Sequence, residues 1–337
     1  MYVLREEPED FRVDEIPLYA PAGHGDHTFV RVQKRLRTTE QVARDLARAA
    51  GVSPRDVGYA GRKDRIAVAT QWLSVPGLAP ERARDLDLPG ATVLEAAAHP
   101  HKLRTGHVRA NRFALRLRGV ATDAWRAGSE RLARASRLGF ANRFGPQRFG
   151  RDGDNPEQAL RLLRDGVPRG RRREARFLLS ALQARIFNAV LDARPLPLDR
   201  LETGDVAVRH ESGGQFRVED AAAEQPRADA FEISPTGPIL GSKMTRPAGA
   251  VAAREAEIAR CEGVDPDQPF RAAGVSLRGA RRALRIRPED VSHEHRDETL
   301  LLRFTLPSGS YATVLVEELL GAAAGDSSDA AAERGVS

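Results

Sequence analysis

Cysteine is nearly absent from this 337-residue chain. Cys261 stands alone, which excludes an internal disulfide and any zinc site built on cysteine pairs. Aromatic residues make up only 5% of the chain. No run approaches the ~18 apolar residues that a membrane helix needs. The histidines, among them His24/His27, His99/His101 and His293/His295, form no helical H-x-x-x-H pair. A Walker A loop, a G-x-S-x-G elbow and a Rossmann glycine fingerprint are missing too. Nothing in the sequence therefore calls for a metal or an organic cofactor. The opening residues, MYVLREEPEDF, lack a basic segment followed by an apolar core. No secretory leader is expected, and the cytoplasm is the expected compartment.

Lysine is scarce in its own way. Of 53 basic residues, only Lys34, Lys63, Lys102 and Lys243 are not arginine. A GC-rich coding bias explains most of this. Arginine still suits RNA, because its planar fork grips phosphates and stacks on bases. The net charge of +6 and pI near 9.9 point the same way, toward a polyanionic partner. The length suffices for two domains, and 41% hydrophobic with 30% charged residues fits a globular enzyme.

Periodicity gives a mixed α/β first half. Strands are expected at Phe29–Val32, near Val57–Tyr59, and over Ala69–Val75, Ala91–Ala97 and Asn111–Val120. In the last of these, Phe113, Leu115 and Leu117 alternate with an arginine ladder, Arg112, Arg116 and Arg118. Thr38 with Gln41 makes a capping box for a helix ending at Gly51. A second helix should run from Thr122 to Leu138. The stretch Arg151–Pro156, RDGDNP, marks a change of composition and a plausible boundary. Beyond it come an arginine cluster, Arg169, Arg171, Arg172 and Arg173, and a helix from about Arg176 to Ala193. Asp205–Lys243 reads as rich in loops and turns and strand-bearing, Ala252–Glu262 as a helix, Leu300–Leu306 as a strand, and the residues after Ser310 as a helix to Leu320. The tail over 322–337 has no periodicity and is expected to be disordered.

Five segments carry the chemistry. The first is Gly58–Ser74, GYAGRKDRIAVATQWLS, which sets Asp64 in a glycine- and lysine-flanked loop before a strand. A cation beside a carboxylate favours its ionised form. The second is Pro8–Glu15, PEDFRVDE, in which Phe11 could equally be a core residue. The third is Asn111-Arg112-Phe113, where an amide and a ring share one strand face. The fourth is Asn142–Gly150, NRFGPQRFG, which suits a loop touching RNA or a hinge between domains. The fifth is Leu306–Thr313, LPSGSYAT, with Tyr311 as its aromatic residue.

Taken together, these segments resemble the TruD family of tRNA pseudouridine synthases. The family pattern G-x-K-D-x-x-A-V-x-x-Q is met by Gly61, Lys63, Asp64, Ala67, Val68 and Gln71. P-x-D-F-x-V-x-E, N-x-F, N-x-F-G-x-Q-R-F-G and L-P-x-G-x-[FY]-A-T follow in the family's order, so the resemblance covers nearly the whole chain. It implies an α+β fold. A pseudouridine-synthase domain, a mixed and largely antiparallel sheet with flanking helices, would comprise 1–151 plus 286–337. A family-specific inserted α/β domain would occupy 152–285. The resemblance also implies Asp64 as catalytic residue and Arg5 and Lys63 as supporting charges. Phe11, Asn111, Phe113 and Tyr311 would bind substrate. Arg143, Arg148, Arg169, Arg171, Arg172 and Arg173 would contact RNA. The implied partner is tRNA, with uridine 13 as target, for a monomer needing no cofactor. An RNA-binding or RNA-folding protein without essential catalysis is the alternative. Against it stands Asp64, an acid that would repel phosphate in a pure binding cleft.

Overall fold

The computed structural model describes residues 2–270 and 277–323. Most of the expected disordered tail, from 324 onward, lies outside the described residues. The elements, numbered in chain order, begin with β1 (Val3–Leu4), β2 (Phe11–Pro17), β3 (His27–Arg35) and α1 (Thr39–Ala50). Then come β4 (Gly58–Tyr59), β5 (Val68–Pro76), α2 (Pro80–Arg84), β6 (Ala91–His99), β7 (Val108–Arg118), α3 (Thr122–Leu138) and β8 (Phe140–Ala141). After these are α4 (Asn155–Asp165), α5 (Arg172–Asp192), β9 (Val206–Arg209), β10 (Gln215–Arg217), α6 (Ala221–Asp229), β11 (Ile233–Ile239) and α7 (Gly249–Cys261). The chain closes with β12 (Ala280–Ala283), β13 (Arg285–Ile286), β14 (Glu289–Arg296), β15 (Thr299–Pro307) and α8 (Ala312–Leu320).

The described chain divides into two compact units. The first holds the residues up to Leu132, Pro288–Gly309 and those from Leu319 on. It is built on one sheet in the order β14-β15-β7-β2-β5-β3-β6, with β1 pairing β7 and β4 pairing β5. Every neighbour is antiparallel except β2 beside β5. The capping box of α1 forms as the sequence implies. Thr38 Oγ1 accepts from Gln41 N at 3.2 Å, and Gln41 Oε1 accepts from Thr38 N at 2.8 Å. Gly51 ends the helix in the left-handed region, at φ +71°. The helix buries Val42, Leu46 and Ala47 against Val30 and Val32 of β3 and Leu73 and Val75 of β5.

Register then decides what shares a face. Val32 lies opposite Gln71, Lys34 opposite Ala69, Glu15 opposite Asn111, and Phe113 opposite both Val13 and Phe304. Directly paired residues, and residues two apart on a strand, project to the same side. One face of the sheet therefore carries Lys34, Gln71, Phe11, Glu15, Asn111, Phe113 and Phe304. α1 covers this face at the β3 end. Beside it β5 is buried along nearly its whole length, so its sequence shows no polar alternation.

The second unit holds Ala133–Arg287 and Ser310–Glu318. Its long helix α5 packs with α4 and α7 through Leu178, Leu179, Leu182, Ile186, Ala259 and Phe270. A four-stranded sheet in the order β10-β9-β11-β12 lies in the same unit. Within the turn-rich stretch Asp205–Lys243, Ile233–Ile239 forms one continuous strand. Thr236–Ile239 pairs with β12, and Ile233–Pro235 with β9. Two prolines and a glycine disguise it. The glycine is there for space: a Cβ on Gly237 would come within 2.9 Å of Leu284 and Phe187. Gly237→Ala should therefore overpack this core and lower stability by about 1–3 kcal/mol. Equilibrium denaturation of the full chain would read that loss as a fall in midpoint at unchanged slope.

Candidate active site

Asp64 sits in the short loop between β4 and β5, over the face just described. The loop has little regular structure, so side chains and backbone polar groups must hold it. They do so at four points. Lys63 N donates to Thr39 Oγ1 at 3.0 Å, and that hydroxyl donates to Gln71 Oε1 at 2.8 Å. Lys63 Nζ lies 2.7 Å from Glu15 Oε2 and donates to Asn111 Oδ1 at 2.9 Å. Lys34 Nζ donates to the carbonyl oxygen of Asp64 at 2.6 Å. Arg5 Nη2 donates to Asp64 Oδ2 at 2.8 Å.

The cations differ from the acid in exposure. The Arg5 side chain is 4% exposed, whereas that of Asp64 is 43% exposed. The carboxylate is thus gripped from beneath and presented outward. Lys63 is nearly buried, and Glu15, at 1%, is fully so. The other Glu15 oxygen accepts from Trp72 N at 3.2 Å. Burial pushes the Lys34 ammonium down to about 8, against the opposing pull of Asp64.

Arg5 carries backbone strain as well. Its φ of +69° is left-handed, which costs a non-glycine residue roughly 1–2 kcal/mol. The guanidinium lies 4.1 Å from the centre of the Phe11 ring, a cation–π contact that sets its direction toward Asp64. Phe11 meets Phe113 edge-on at 6.0 Å, and Phe113 stacks on Phe304 at 5.4 Å. Phe11 and Phe113 are themselves buried. They form an apolar floor beside Arg5 and Asp64.

The structure thus brings Arg5, Phe11, Lys63, Asp64, Asn111 and Phe113 together in the first unit. Tyr311, Arg143 and Arg148 belong to the second. There the Phe144 backbone is clasped by Asn188, whose side chain accepts from Phe144 N at 2.9 Å and donates to its carbonyl oxygen at 3.0 Å. Asn142 Nδ2 donates to the carbonyl oxygen of Ala283 at 2.9 Å, and Asn142 Oδ1 accepts from Arg282 at 2.5 Å. Arg282 stacks on Phe144 at 4.2 Å, and the Tyr311 ring meets Phe144 edge-on at 6.1 Å. Gly145 leaves room for that ring, since a Cβ would lie 3.2 Å from it. Much of the NRFGPQRFG segment is therefore internal fastening. Arg143 pairs with Asp192, its Nη1 donating at 3.0 Å. Arg171 pairs with Glu174 at 2.6 Å, while Arg169, Arg172 and Arg173 are exposed. In the arginine ladder, Arg118 is met by Asp10 and Glu6 at 3.0 and 3.1 Å, and Arg116 by Asp10 at 3.7 Å.

Sequence reasoning did not assign a role to Glu15, Thr39, Gln71 or Lys34. Glu15 and Gln71 stood inside the quoted motifs. Lys34 had a signal of its own, as one of four lysines in an arginine-dominated chain. Among the described residues, no group of three or more His, Cys, Asp or Glu side chains is placed to hold a metal ion.

The sequence model of the family described as tRNA pseudouridine synthase D (TruD) matches residues 2–166 and 167–319. The chain belongs to the TruD family. A tRNA pseudouridine synthase D of Anaeromyxobacter sp. (strain Fw109-5) is 46% identical over 330 residues, covering 95% of this chain and 93% of that protein. The tRNA pseudouridine synthase D of Thermus thermophilus is 40% identical, covering 94% and 88%. A solved Methanosarcina mazei protein assigned as a TruD superposes with a TM-score of 0.71 at 21% identity, over 95% and 94% of the two chains. That likeness carries the fold, an α+β arrangement with a largely antiparallel sheet. This TruD-family chain is an isomerase.

Removing the Lys63 ammonium would leave Glu15 ionised and buried without its partner. Lys63→Met is expected to cost about 3–5 kcal/mol in equilibrium unfolding. Adding Glu15→Gln to it should recover most of that loss, because the stranded charge is gone.

Proposed function

We propose that this chain converts a uridine in tRNA, uridine 13 by the family's pattern, into pseudouridine, with Asp64 as the catalytic carboxylate. One observation supports the reading above others. Asp64 is left open to solvent, and a strained, buried arginine holds one of its oxygens. A carboxylate fixed so firmly, yet left accessible, is suited to act on a substrate rather than to stabilise the fold.

The chemistry is an exchange of bonds at one ribose carbon. The C1′–N1 bond breaks, the base turns, and a C1′–C5 bond forms. C5 then loses its proton and N1 gains one. No atom or electron is gained overall, so the reaction itself consumes no redox partner. The uridine must leave its stack for Asp64 to reach it, at a cost of ~a few kcal/mol. Arg5 holds and aims the carboxylate. The floor of Phe11 and Phe113 offers the freed base an apolar surface on which to turn. An ammonium only donates, so Asn111 presents Oδ1 to Lys63 and its amide NH2 points away from it. That NH2 is the donor for a uracil carbonyl. Tyr311, in the second unit, is proposed as a further aromatic contact. Arg143, Arg148, Arg169, Arg171, Arg172 and Arg173 are proposed to meet tRNA phosphates. The proposed domains are a catalytic part over 1–151 plus 286–337 and an insertion over 152–285. The proposed setting is a cytoplasmic monomer working without a cofactor.

Purified protein incubated with unmodified tRNA transcripts should form pseudouridine, and Asp64→Asn should form none while still binding tRNA. Normal turnover by that variant would sink the assignment of Asp64. No product from either protein, with tRNA still bound, would favour an RNA-binding function instead. Affinity should also fall by ~10³-fold or more between low and moderate salt if six or more phosphates are contacted. A flat salt response in a binding titration would remove the arginines from the RNA contact.

A further inference from the structure

Lys34 belongs to none of the motifs, and the reaction as written does not use it. It projects from β3 onto the face that carries Gln71, and the residue is 1% exposed. Its Nζ donates to two carbonyl oxygens, that of Asp64 at 2.6 Å and that of Arg37 at 2.7 Å. Among the described residues, no carboxylate forms an ion pair with it. A buried ammonium held only by carbonyls is costly, and a methionine could fill similar space at less cost. The two carbonyls belong to different segments. One lies in the Asp64 loop, and the other follows Leu36, whose φ of +54° makes the tight turn from β3 into α1. An ammonium is a compact donor with three rotatable N–H groups, so it can serve acceptors in unrelated directions.

We propose that Lys34 is a positioning residue for Asp64: its ammonium fixes the backbone of the catalytic loop and places a positive charge beneath the carboxylate, without touching substrate. This rests on the reading of Asp64 as the catalytic group. The charged groups facing Lys34 are Asp64 and Lys63 from the loop and Glu40 from α1. Glu40 is itself paired with Arg62 at 2.5 Å. Asp64 and Glu40 favour the ammonium, Lys63 disfavours it, and burial outweighs both, which brings the group from 10.5 to about 8.

The signs of two consequences are opposite. Lys34 is charged below about 8, so the positioning charge is lost as pH rises through that value. The catalytic rate should fall there. Stability should move the other way. The unfolded lysine binds its proton up to about 10.5, so between about 8 and 10.5 the unfolded chain holds more protons, and raising pH favours the fold. A structural role alone would not give a rate that falls while stability rises.

The test is single-turnover pseudouridine formation and tRNA affinity for wild type, Lys34→Gln, Lys34→Met and Asp64→Asn, followed from neutral pH to above the Lys34 titration. Wild type should slow up to tenfold per pH unit above about 8 while its melting temperature holds or rises. Lys34→Gln and Lys34→Met should turn over on the order of 10²-fold more slowly at neutral pH, since small misplacements cost about that much. Their tRNA affinity should stay within about twofold, and their alkaline limb should vanish. Wild-type turnover by Lys34→Gln beside an inactive Asp64→Asn would overturn the Lys34 assignment alone. So would an alkaline limb that persists in the variant. Turnover by Asp64→Asn would overturn the underlying reading, whatever the lysine variants do. Should both lysine variants fail to fold, the wild-type profile decides: a rate flat through the titration overturns the proposal.

Discussion

The ion pair between Lys63 and Glu15 ties the site to the sheet. Glu15 is a strand residue, fully buried, and its other oxygen accepts from the backbone N–H of Trp72 on the neighbouring strand. It is therefore as fixed as the sheet itself. Lys63 reaches down from the loop to this carboxylate and to Asn111, and in doing so it fixes the residue beside Asp64. Ordering a residue costs about 1–2 kcal/mol in backbone entropy, and the loop has few ladder bonds to offset that. Four polar ties over Lys63 and Asp64 provide the compensation. Three are anchored on a strand or a helix start and the fourth, Arg5, directly follows β1, so the precision of the sheet is passed to a carboxylate that is itself left accessible.

The same arrangement explains why Arg5 is tolerated in a strained conformation. Its guanidinium has to lie over Phe11 and still reach Asp64, and the left-handed backbone supplies that turn of the chain. The cost of the strain is of the same order as one cation–π contact plus one charge-assisted hydrogen bond. The balance is close to neutral for stability. What it gains is direction, because the carboxylate oxygen facing Arg5 is committed while the side chain as a whole stays 43% exposed. Strain of this kind, held at one residue and absorbed by packing around it, is compatible with a pre-organised carboxylate.

Much of the fold was legible because local chemistry agreed with the final structure. The capping box of Thr38 and Gln41, the glycine stop at Gly51 and the alternation in Asn111–Val120 all appear as read. The failures have physical causes. β14 is a largely exposed edge strand of mostly polar and charged residues, Glu289 to Arg296, with no apolar face to announce it. β11 contains Pro235, Gly237 and Pro238, which read as a turn, yet the glycine is needed for close packing and the pairing changes partner midway along the strand. α4, Asn155–Asp165, begins within the turn-rich RDGDNP stretch and was hidden by it. At the site, Asp64 and Lys63 were visible because they sit together in one short contiguous pattern, whereas Arg5 was nominated only through the family resemblance. Glu15, Thr39, Gln71 and Lys34 come from separate strands and a helix start. Only register brings them together, and no local pattern encodes register.

Lys34 and Lys63 also show what composition can and cannot hide. In a chain whose basic residues are almost all arginine, a lysine at a buried position asks for a steric or electrostatic reason. Both have one. Lys63 places a single point charge between a carboxylate at 2.7 Å and an amide oxygen at 2.9 Å. Lys34 does the same between two carbonyls. In each case the acceptors converge on one nitrogen from different elements. A guanidinium spreads its donors over a rigid plane and does not concentrate them on one nitrogen. Charge alone could have been supplied by arginine at every position. The geometry of convergent acceptors in a buried layer could not, and that geometry is what holds the Asp64 loop on the sheet.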